Sequence, residues 1–185
     1  MIIIAFGHRA RQGKDVSGEA IIQHFAHIAE MSQRHGQRYL GPKVVLCKFA
    51  RALYKECEEQ YGMVGKDPLL LQKVGVERRV QDENYWVKRA FGSIPTGADI
   101  VVFTDVRFRN EAERIKKEGG YLVDVVRLND DGSRFYANDR PADHISETDL
   151  SGYNWDYRLT AKTGEAALLA EQAITLIEYI RALHA

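Results

Sequence analysis

The chain has no excess of either charge, because its 26 lysine and arginine residues balance 26 aspartate and glutamate residues. Proteins that bind nucleic acid or an anionic membrane through bulk charge usually carry a basic surplus. We therefore expect neither nucleic acid nor a membrane as a partner. Any anionic ligand would have to be held by a local cluster of arginine and lysine side chains.

Cysteine and long apolar runs are also scarce. The two cysteines, Cys47 and Cys57, do not form a C-x-x-C pair and have no histidine nearby at metal-ligand spacing. Reduced, buried thiols are expected, as in a cytoplasmic protein. The apolar run at residues 2–6 is only one strand long and no basic residue precedes it. It therefore predicts neither a secretory signal nor a membrane span.

Apolar runs with the length of buried strands alternate along the chain with segments of helical periodicity. Strands are predicted at residues 2–6, 43–47, 99–104, 121–126 and 155–159, and helices at about 15–34, 49–61, 65–79, 83–91, 110–118 and 164–183. This alternation predicts an α/β fold with three layers, in which helices cover both faces of a mainly parallel sheet. Ligands of such sheets bind at the carboxyl ends of the strands.

A loop rich in basic residues follows the first predicted strand. Residues 7–15 read GHRARQGKD, which is the layout of a phosphate-binding loop that leads from a strand into a helix N-terminus. Lys14 would reach the terminal phosphates. His8 occupies the position of the usual first glycine, and Asp15 replaces the hydroxyl residue that binds Mg²⁺, a role that a carboxylate can also fill. The alternative is an ordinary strand-to-helix turn.

A second polar cluster follows the third predicted strand. Asp105 ends this strand, a position from which a carboxylate can reach the Mg²⁺ of a bound nucleotide. Arg107 and Arg109 come next and could grip phosphate. Asn110 and Glu113 have the spacing of a helix cap. The alternative interpretation is an exposed charged turn.

A third cluster lies in the predicted helices between the second and third strands. Gln72 could bind a base edge, and Arg78 and Arg79 could bind phosphate. Tyr85 or Trp86 could stack on a base. Gln72 and Arg79 share one helix face with the spacing i, i+7. An ordinary charged helix that carries one aromatic residue would give the same pattern.

Residues 128–150 are polar and lack apolar periodicity, and connections of this length are often lids over an active site. Arg134 and Arg140 in this segment could supply positive charge and exclude water from a phosphoryl transfer. His144 and Glu147 are expected to hold the lid rather than to act as bases. A phosphate acceptor is already anionic and needs no base.

Taken together, these motifs resemble the deoxynucleoside monophosphate kinases of bacteriophages, a branch of the P-loop nucleoside monophosphate kinases. The resemblance spans nearly the whole chain in the expected order. It rests on Gly13-Lys14-Asp15, Phe49-Ala50, Leu71-Gln72…Gly75…Arg79…Trp86, Asp105-Val106-Arg107-Phe108…Asn110-Glu111 and His144…Ser146-Glu147…Leu150.

The resemblance implies a P-loop NTPase fold with a five-stranded sheet, formed by one kinase domain over residues 1–185. Residues 49–92 would form the helical region that binds the nucleoside monophosphate, and residues 128–150 would form a mobile lid. The implied reaction moves the γ-phosphoryl group of ATP to a (deoxy)nucleoside monophosphate with Mg²⁺ as cofactor. In a phage-encoded protein this would occur in the host cytoplasm.

The resemblance also implies a set of site residues. Those implied in catalysis are Lys14, Asp15, Arg107, Arg134 and Arg140. Those implied in ATP binding are Arg11, Gly13, Lys14, Asp15, Val16 and Ser17. Those implied in binding the monophosphate are Phe49, Gln72, Arg78, Arg79, Trp86, Asp105, Arg107 and Glu111. Asp15 and Asp105 are the implied metal ligands.

Other functions remain open at this point. A kinase acting on dephospho-coenzyme A would share the fold, but its hydroxyl acceptor would need a catalytic base. A nucleotide-binding module with a degenerate loop would bind nucleotide without turnover. The C-terminal apolar helix is expected to pack on the sheet, and the alternative is that it forms a homodimer contact.

Overall fold

In the part of the chain that the structure describes, all the strands lie in one parallel sheet. A computed structural model describes residues 1–137, 141 and 143–184. In these residues the sheet has the order β2-β3-β1-β4-β5, and every neighbouring pair is parallel. The strands are β1 (Ile2–Gly7), β2 (Val44–Cys47), β3 (Ile100–Val106), β4 (Tyr121–Leu128) and β5 (Tyr157–Lys162). The predicted parallel five-stranded sheet is confirmed.

Helices flank the sheet on both faces. They are α1 (Lys14–Arg34), α2 (Phe49–Tyr61), α3 (Pro68–Gln81), α4 (Tyr85–Gly92), α5 (Arg109–Lys117), α6 (Ile145–Thr148) and α7 (Ala166–Leu183). The central strand β1 shows the alternation that this requires. Ile4 and Phe6 pack in one core with α1 and α7, whereas Ile3 and Ala5 pack in a second core with α4 and α5. The three-layer α/β architecture therefore follows from strands that are apolar on both sides.

The functional crevice of such a sheet is set by the paths of the connections. β1 and β3 are neighbours, yet the helices that follow them cover opposite faces. Ile21 and Phe25 of α1 belong to one core, and Ala112 and Ile115 of α5 belong to the other. The chain therefore diverges above the carboxyl ends of β1 and β3, which opens a crevice at this switch point.

Several boundaries differ from the sequence-based expectation, and one short helix was not predicted. β3 runs two residues further, to Val106, because it stays paired with Gly7 of β1 although the apolar run has ended. β5 begins at Tyr157 and not at residue 155. The four-residue helix α6 was not predicted, since it is too short to show periodicity, and the His144 side chain caps it by accepting the N–H of Ser146.

The helices α2, α3 and α4 form a region with a small core of its own. This core consists of Cys57, Met63, Leu71, Val74 and Trp86. Both cysteines are free and buried, as expected. Among the helices of the described residues, none is long and apolar enough to cross a membrane.

Candidate functional site

The loop between β1 and α1 has an unusual backbone. Gly13, immediately before α1, has φ +104°, and two residues that are not glycine also lie in the left-handed region: His8 at φ +81° and Arg11 at φ +54°. Residues that carry a Cβ atom rarely adopt this backbone conformation, and such strained positions are concentrated at functional sites. A Cβ atom at Gly13 would also come within 2.4 Å of Leu169. The positive φ therefore favours glycine at this position, and a Cβ atom would in addition require the Leu169 side chain to move.

Buried side chains hold this loop in place. His8 Nδ1 lies 3.1 Å from Asp124 Oδ1 of β4, and the N–H of Ala10 donates to Glu147 Oε2 at 2.8 Å. The Gln12 amide donates to the carbonyls of Ala10 and Phe135, while its oxygen accepts the N–H of Arg127 at 2.9 Å. These bonds connect the loop to β4, to the segment that follows β4 and to α6.

Lys14 lies at the centre of the site. Its side chain is almost fully buried, and its Nζ donates to the carbonyl oxygens of His8 and Arg9. Burial and, as the second cause, the positive charge of Arg107 lower the pKa of Lys14 to about 7, against the raising effect of nearby carboxylates. A buried ammonium group facing another cation gains most from an anionic ligand that can neutralise both.

The crevice is occupied by a cavity of about 960 Å³. Among the described residues, eight basic and only three acidic side chains line it. The basic ones are Arg11, Lys14, Lys48, Arg51, Lys66, Arg79, Arg107 and Arg127. A chain with no net charge thus concentrates positive charge at one place, which is the arrangement that a polyanionic ligand such as a phosphate ester requires.

Each of the three acidic side chains in the cavity has defined partners. Asp15 Oδ1 accepts Lys48 Nζ at 2.6 Å and the Thr104 hydroxyl at 2.9 Å. Against the effect of partial burial, these two bonds hold the pKa of Asp15 below its usual value. Asp105 accepts the N–H groups of Phe49 and Ala50, both at 2.9 Å, with one oxygen each. Asp105 therefore fixes the start of α2, which leaves it worse placed than Asp15 to bind a metal.

Glu111 is the third acid, and it is buried. Its Oε2 accepts the N–H groups of Arg107 and Phe108 at 2.8 and 3.1 Å. Burial, with the neighbouring Asp105 charge as the second cause, raises the pKa of Glu111 to about 8. Glu111 thus caps α5 and fixes the backbone from which the Arg107 side chain projects.

Most of the predicted site residues come together in this cavity. Those that line it are Arg11, Gly13, Lys14, Asp15, Val16, Phe49, Arg79, Trp86, Asp105, Arg107 and Glu111. Arg79 extends over the ring of Phe108, with 4.3 Å from Cζ to the ring centre. Trp86 is packed in the helical core and its indole N–H donates to the carbonyl of Gly75. Trp86 therefore supports the wall and offers no open face for stacking.

Four predicted site residues lie outside the cavity. Arg78 projects away from it and binds Glu56 at 2.6 Å, although its neighbour Arg79 lines the site. Gln72 is exposed on the outer side of α3. Ser17 is buried and its hydroxyl donates back to the carbonyl of Gly13. Arg134 Nη2 binds Asp124 at 3.2 Å.

The two arginines predicted to act from the lid segment are Arg134 and Arg140. Arg134 is attached to the Asp124 side chain beneath the loop and not to the cavity, because Asp124 is a buried carboxylate that needs cationic partners. Arg158 of β5 also binds Asp124, at 3.0 Å. Arg140 lies outside the described residues.

Several residues of the site were missed in the sequence. Lys48 and Thr104 both contact Asp15, and both lie at or near the carboxyl end of a strand, as Lys48 follows β2 and Thr104 belongs to β3. Their positions in the parallel sheet could have indicated them. Asp124 carried no such signal, because a single acid in an apolar strand gives no indication of its partner 116 residues earlier.

A smaller cavity of about 250 Å³ continues on the other side of the loop. It shares Arg11, Gln12, Gly13, Val16 and Arg127 with the main cavity. Its remaining walls come from the end of β5, the β5–α7 connection and α7. A ligand could therefore extend from the main cavity around the loop.

The described residues contain no group of three or more histidine, cysteine, aspartate or glutamate side chains that could hold a metal ion. One carboxylate is nevertheless enough for Mg²⁺ when phosphate oxygens and water complete its shell. Asp15 fits this role, because its side chain is more than half exposed and lines the cavity next to Lys14.

No known protein-family model matches the chain, and no curated protein matches it either. The assignment of a function therefore depends on the geometry and the charges of the cavity.

Proposed function

We propose that the protein is a kinase that transfers the γ-phosphoryl group of ATP to a nucleoside monophosphate, with a deoxynucleoside monophosphate as the expected acceptor. The observation that carries this proposal is the cavity of about 960 Å³, which is lined by a strained loop and by eight basic side chains, the buried Lys14 among them. A loop of this kind before a helix N-terminus is suited to bind polyphosphate. The volume suffices for more than one phosphate ester.

The two sides of the cavity suit two different substrates. The loop side, with Lys14 and Arg11, would bind the triphosphate of the donor, and the smaller cavity beside the loop offers room for the rest of the donor. The helical side, with Phe49 and Arg79, would bind the monophosphate of the acceptor. Arg107 projects between them from the end of β3 and can contact phosphate on both sides.

The chemistry requires positioning and charge neutralisation more than proton transfer. An anionic oxygen of the acceptor phosphate attacks the γ-phosphorus of ATP, and the bond from this phosphorus to the β,γ-bridging oxygen breaks. ADP leaves with the electron pair of that bond. Lys14 and Arg107 neutralise the charge that develops on the transferred group and on the leaving oxygen. The nucleophile is already ionised, so no side chain has to remove a proton.

Mg²⁺ would be held by Asp15 together with water and phosphate oxygens. When bound, the ion would supply positive charge that offsets the negative charge of the phosphates. The contact from Thr104 to Asp15 keeps this carboxylate at the edge of the loop. Lys48 binds the same carboxylate oxygen at 2.6 Å, and this contact would have to be displaced or shared with the ion.

The test is the release of ADP from Mg·ATP in the presence of each of the four deoxynucleoside monophosphates, their ribose counterparts, dephospho-coenzyme A, and no acceptor. We expect ADP release that depends on a monophosphate. Turnover with dephospho-coenzyme A alone would contradict the proposal and favour a hydroxyl kinase. Binding of ATP without ADP release for any acceptor would favour a non-catalytic nucleotide-binding module.

A further inference from the structure

One carboxylate of the lid segment connects two parts of the site. Glu147 lies on α6 and its side chain is only 6% exposed. Its Oε2 accepts the N–H of Ala10 in the loop at 2.8 Å, and its Oε1 accepts Nη1 of Arg107 at 2.8 Å. Ala10 is 137 residues away in sequence and Arg107 is 40 residues away.

We propose that Glu147 is the positioning residue of this site, in that it fixes the Arg107 guanidinium relative to the phosphate loop. The inference rests on the proposed kinase function, because it assumes that Arg107 and the loop act on the same phosphate group. A two-point carboxylate bridge determines the separation and the angle between its partners, which one contact alone does not.

The position of Glu147 favours support over competition with a ligand. Arg107 lines the main cavity, but neither Glu147 nor Ala10 does. The carboxylate therefore contacts the guanidinium without forming part of the cavity wall. The guanidinium has five N–H donors, so those that Glu147 does not engage can still reach a phosphate.

Glutamate is needed here for chemical reasons. Both of its oxygens accept, one from a backbone N–H and one from a cation. Glutamine would present an NH₂ group to one of these two donors and would lose that contact. Aspartate is shorter by one methylene group and cannot reach both partners from the same backbone position. The His144 cap fixes the helix that carries Glu147.

The inference predicts a specific kinetic result. Glu147→Gln should lower kcat by about 10- to 100-fold, as expected when a catalytic group is misplaced by about 1 Å, with a change in KM below about 3-fold. In an Arg107→Ala background, the same substitution should lower kcat by no more than about 3-fold, because the group that Glu147 positions is gone.

Asp149 provides the matched control. It lies at the end of the same segment and accepts the N–H of Arg109 at 2.7 Å, so it also attaches this segment to the β3–α5 connection. It contacts neither Arg107 nor the loop in any described hydrogen bond. Asp149→Asn should lower the melting temperature without any coupling to Arg107→Ala.

The experiment is a double-mutant cycle of Glu147→Gln and Arg107→Ala, measured on kcat, on the dissociation constant of Mg·ATP and on the melting temperature. Coupling in kcat or in the dissociation constant that is absent from the Asp149→Asn cycle supports the inference. Turnover by the wild-type protein with additive effects in both cycles overturns the inference but leaves the kinase function standing. A wild-type protein that neither turns over nor binds Mg·ATP overturns both.

Discussion

The two walls of the cavity are stabilised in different ways. The loop wall consists of strained backbone held by hydrogen bonds from β4, from the segment after it and from α6. The helical wall, α2 to α4, packs around its own apolar core. One wall is thus fixed by polar contacts between distant parts of the chain, and the other by local packing.

The helical wall also has one buried charged centre. Glu56 has no exposed area and accepts Arg78 Nε at 2.6 Å and the Tyr85 hydroxyl at 2.7 Å. These contacts connect α2 to α3 and α4 on the side away from the cavity. Damage to this centre should therefore affect stability, whereas damage to the loop wall should affect turnover.

The largest effect is expected at the loop wall. Lys14→Ala should lower turnover by about 10³-fold, roughly 4 kcal/mol of transition-state stabilisation, because it removes the central cation. The free energy of unfolding should not fall, since the buried lysine is itself held at a cost. Steady-state kinetics and urea unfolding give both values. Lys73→Ala, which removes a charge from the exposed face of α3, is the control. An unchanged rate in Lys14→Ala would mean that the loop does not bind the donor.

A substitution in the helical wall should lower the free energy of unfolding. Glu56→Gln should lower the free energy of unfolding by about 2–3 kcal/mol, because the charge-assisted bonds to Arg78 and Tyr85 are weakened. Urea unfolding provides the measurement. Glu59→Gln, on the exposed side of the same helix, should change stability by less than about 0.5 kcal/mol. Equal effects of the two substitutions would show that Glu56 is not a stabilising centre.

The pH dependence of stability should separate Lys14 from Glu111. Between pH 7 and 10.5 the unfolded chain holds a proton that native Lys14 has released, so stability rises with pH. Between pH 4.5 and 8 native Glu111 holds a proton that the unfolded chain releases, so stability falls. From these two groups we expect the free energy of unfolding to decrease from pH 4.5 to 7 and to increase above pH 8. Between pH 7 and 8 the two groups have opposing effects on it.

Urea unfolding across this range, for the wild type and for single variants, measures these two contributions. Lys14→Met should remove the increase in the free energy of unfolding, and Glu111→Gln should remove the decrease. Each of these changes should amount to at least about 1.4 kcal/mol, the equivalent of one pKa unit. Parallel curves for the wild type and both variants would contradict the assignment.

The smallest effect is expected at Gln72. Because this side chain is exposed on the outside of α3 and does not line the cavity, Gln72→Ala should change KM for the acceptor by less than about 2-fold. Arg79→Gln, one residue beyond Arg78 on the same helix, should raise this KM much more. A large increase in KM for Gln72→Ala would place the acceptor on the other side of α3.

The fold could be predicted from the sequence because strand and helix periods differ and the apolar runs are long. The loop around Lys14 could be located for the same reason, since it joins the first strand to the first helix. The choice between Arg78 and Arg79 could not be made. Adjacent helical residues point about 100° apart, and only the position of Glu56 shows which of them faces away from the cavity.

The residues that hold the loop in place could not be predicted from the sequence either. Asp124 is the single acid of an apolar strand and Glu147 is one of several acids in a polar segment, and their partners in the loop lie more than 100 residues earlier. Nothing in their local surroundings indicates those partners. Contacts of this kind depend on the order of the strands, which is itself a property of the whole chain.

The hydrogen bonds of Gln12 have a consequence for synthesis on the ribosome. Its amide reaches the backbone of Arg127 and Phe135, 115 and 123 residues later. A nascent chain that has not yet exposed these residues contains the complete loop sequence but lacks the bonds that shape it. The binding of nucleotide that we propose should therefore begin only late in translation, after the fourth strand has left the exit tunnel and joined the sheet.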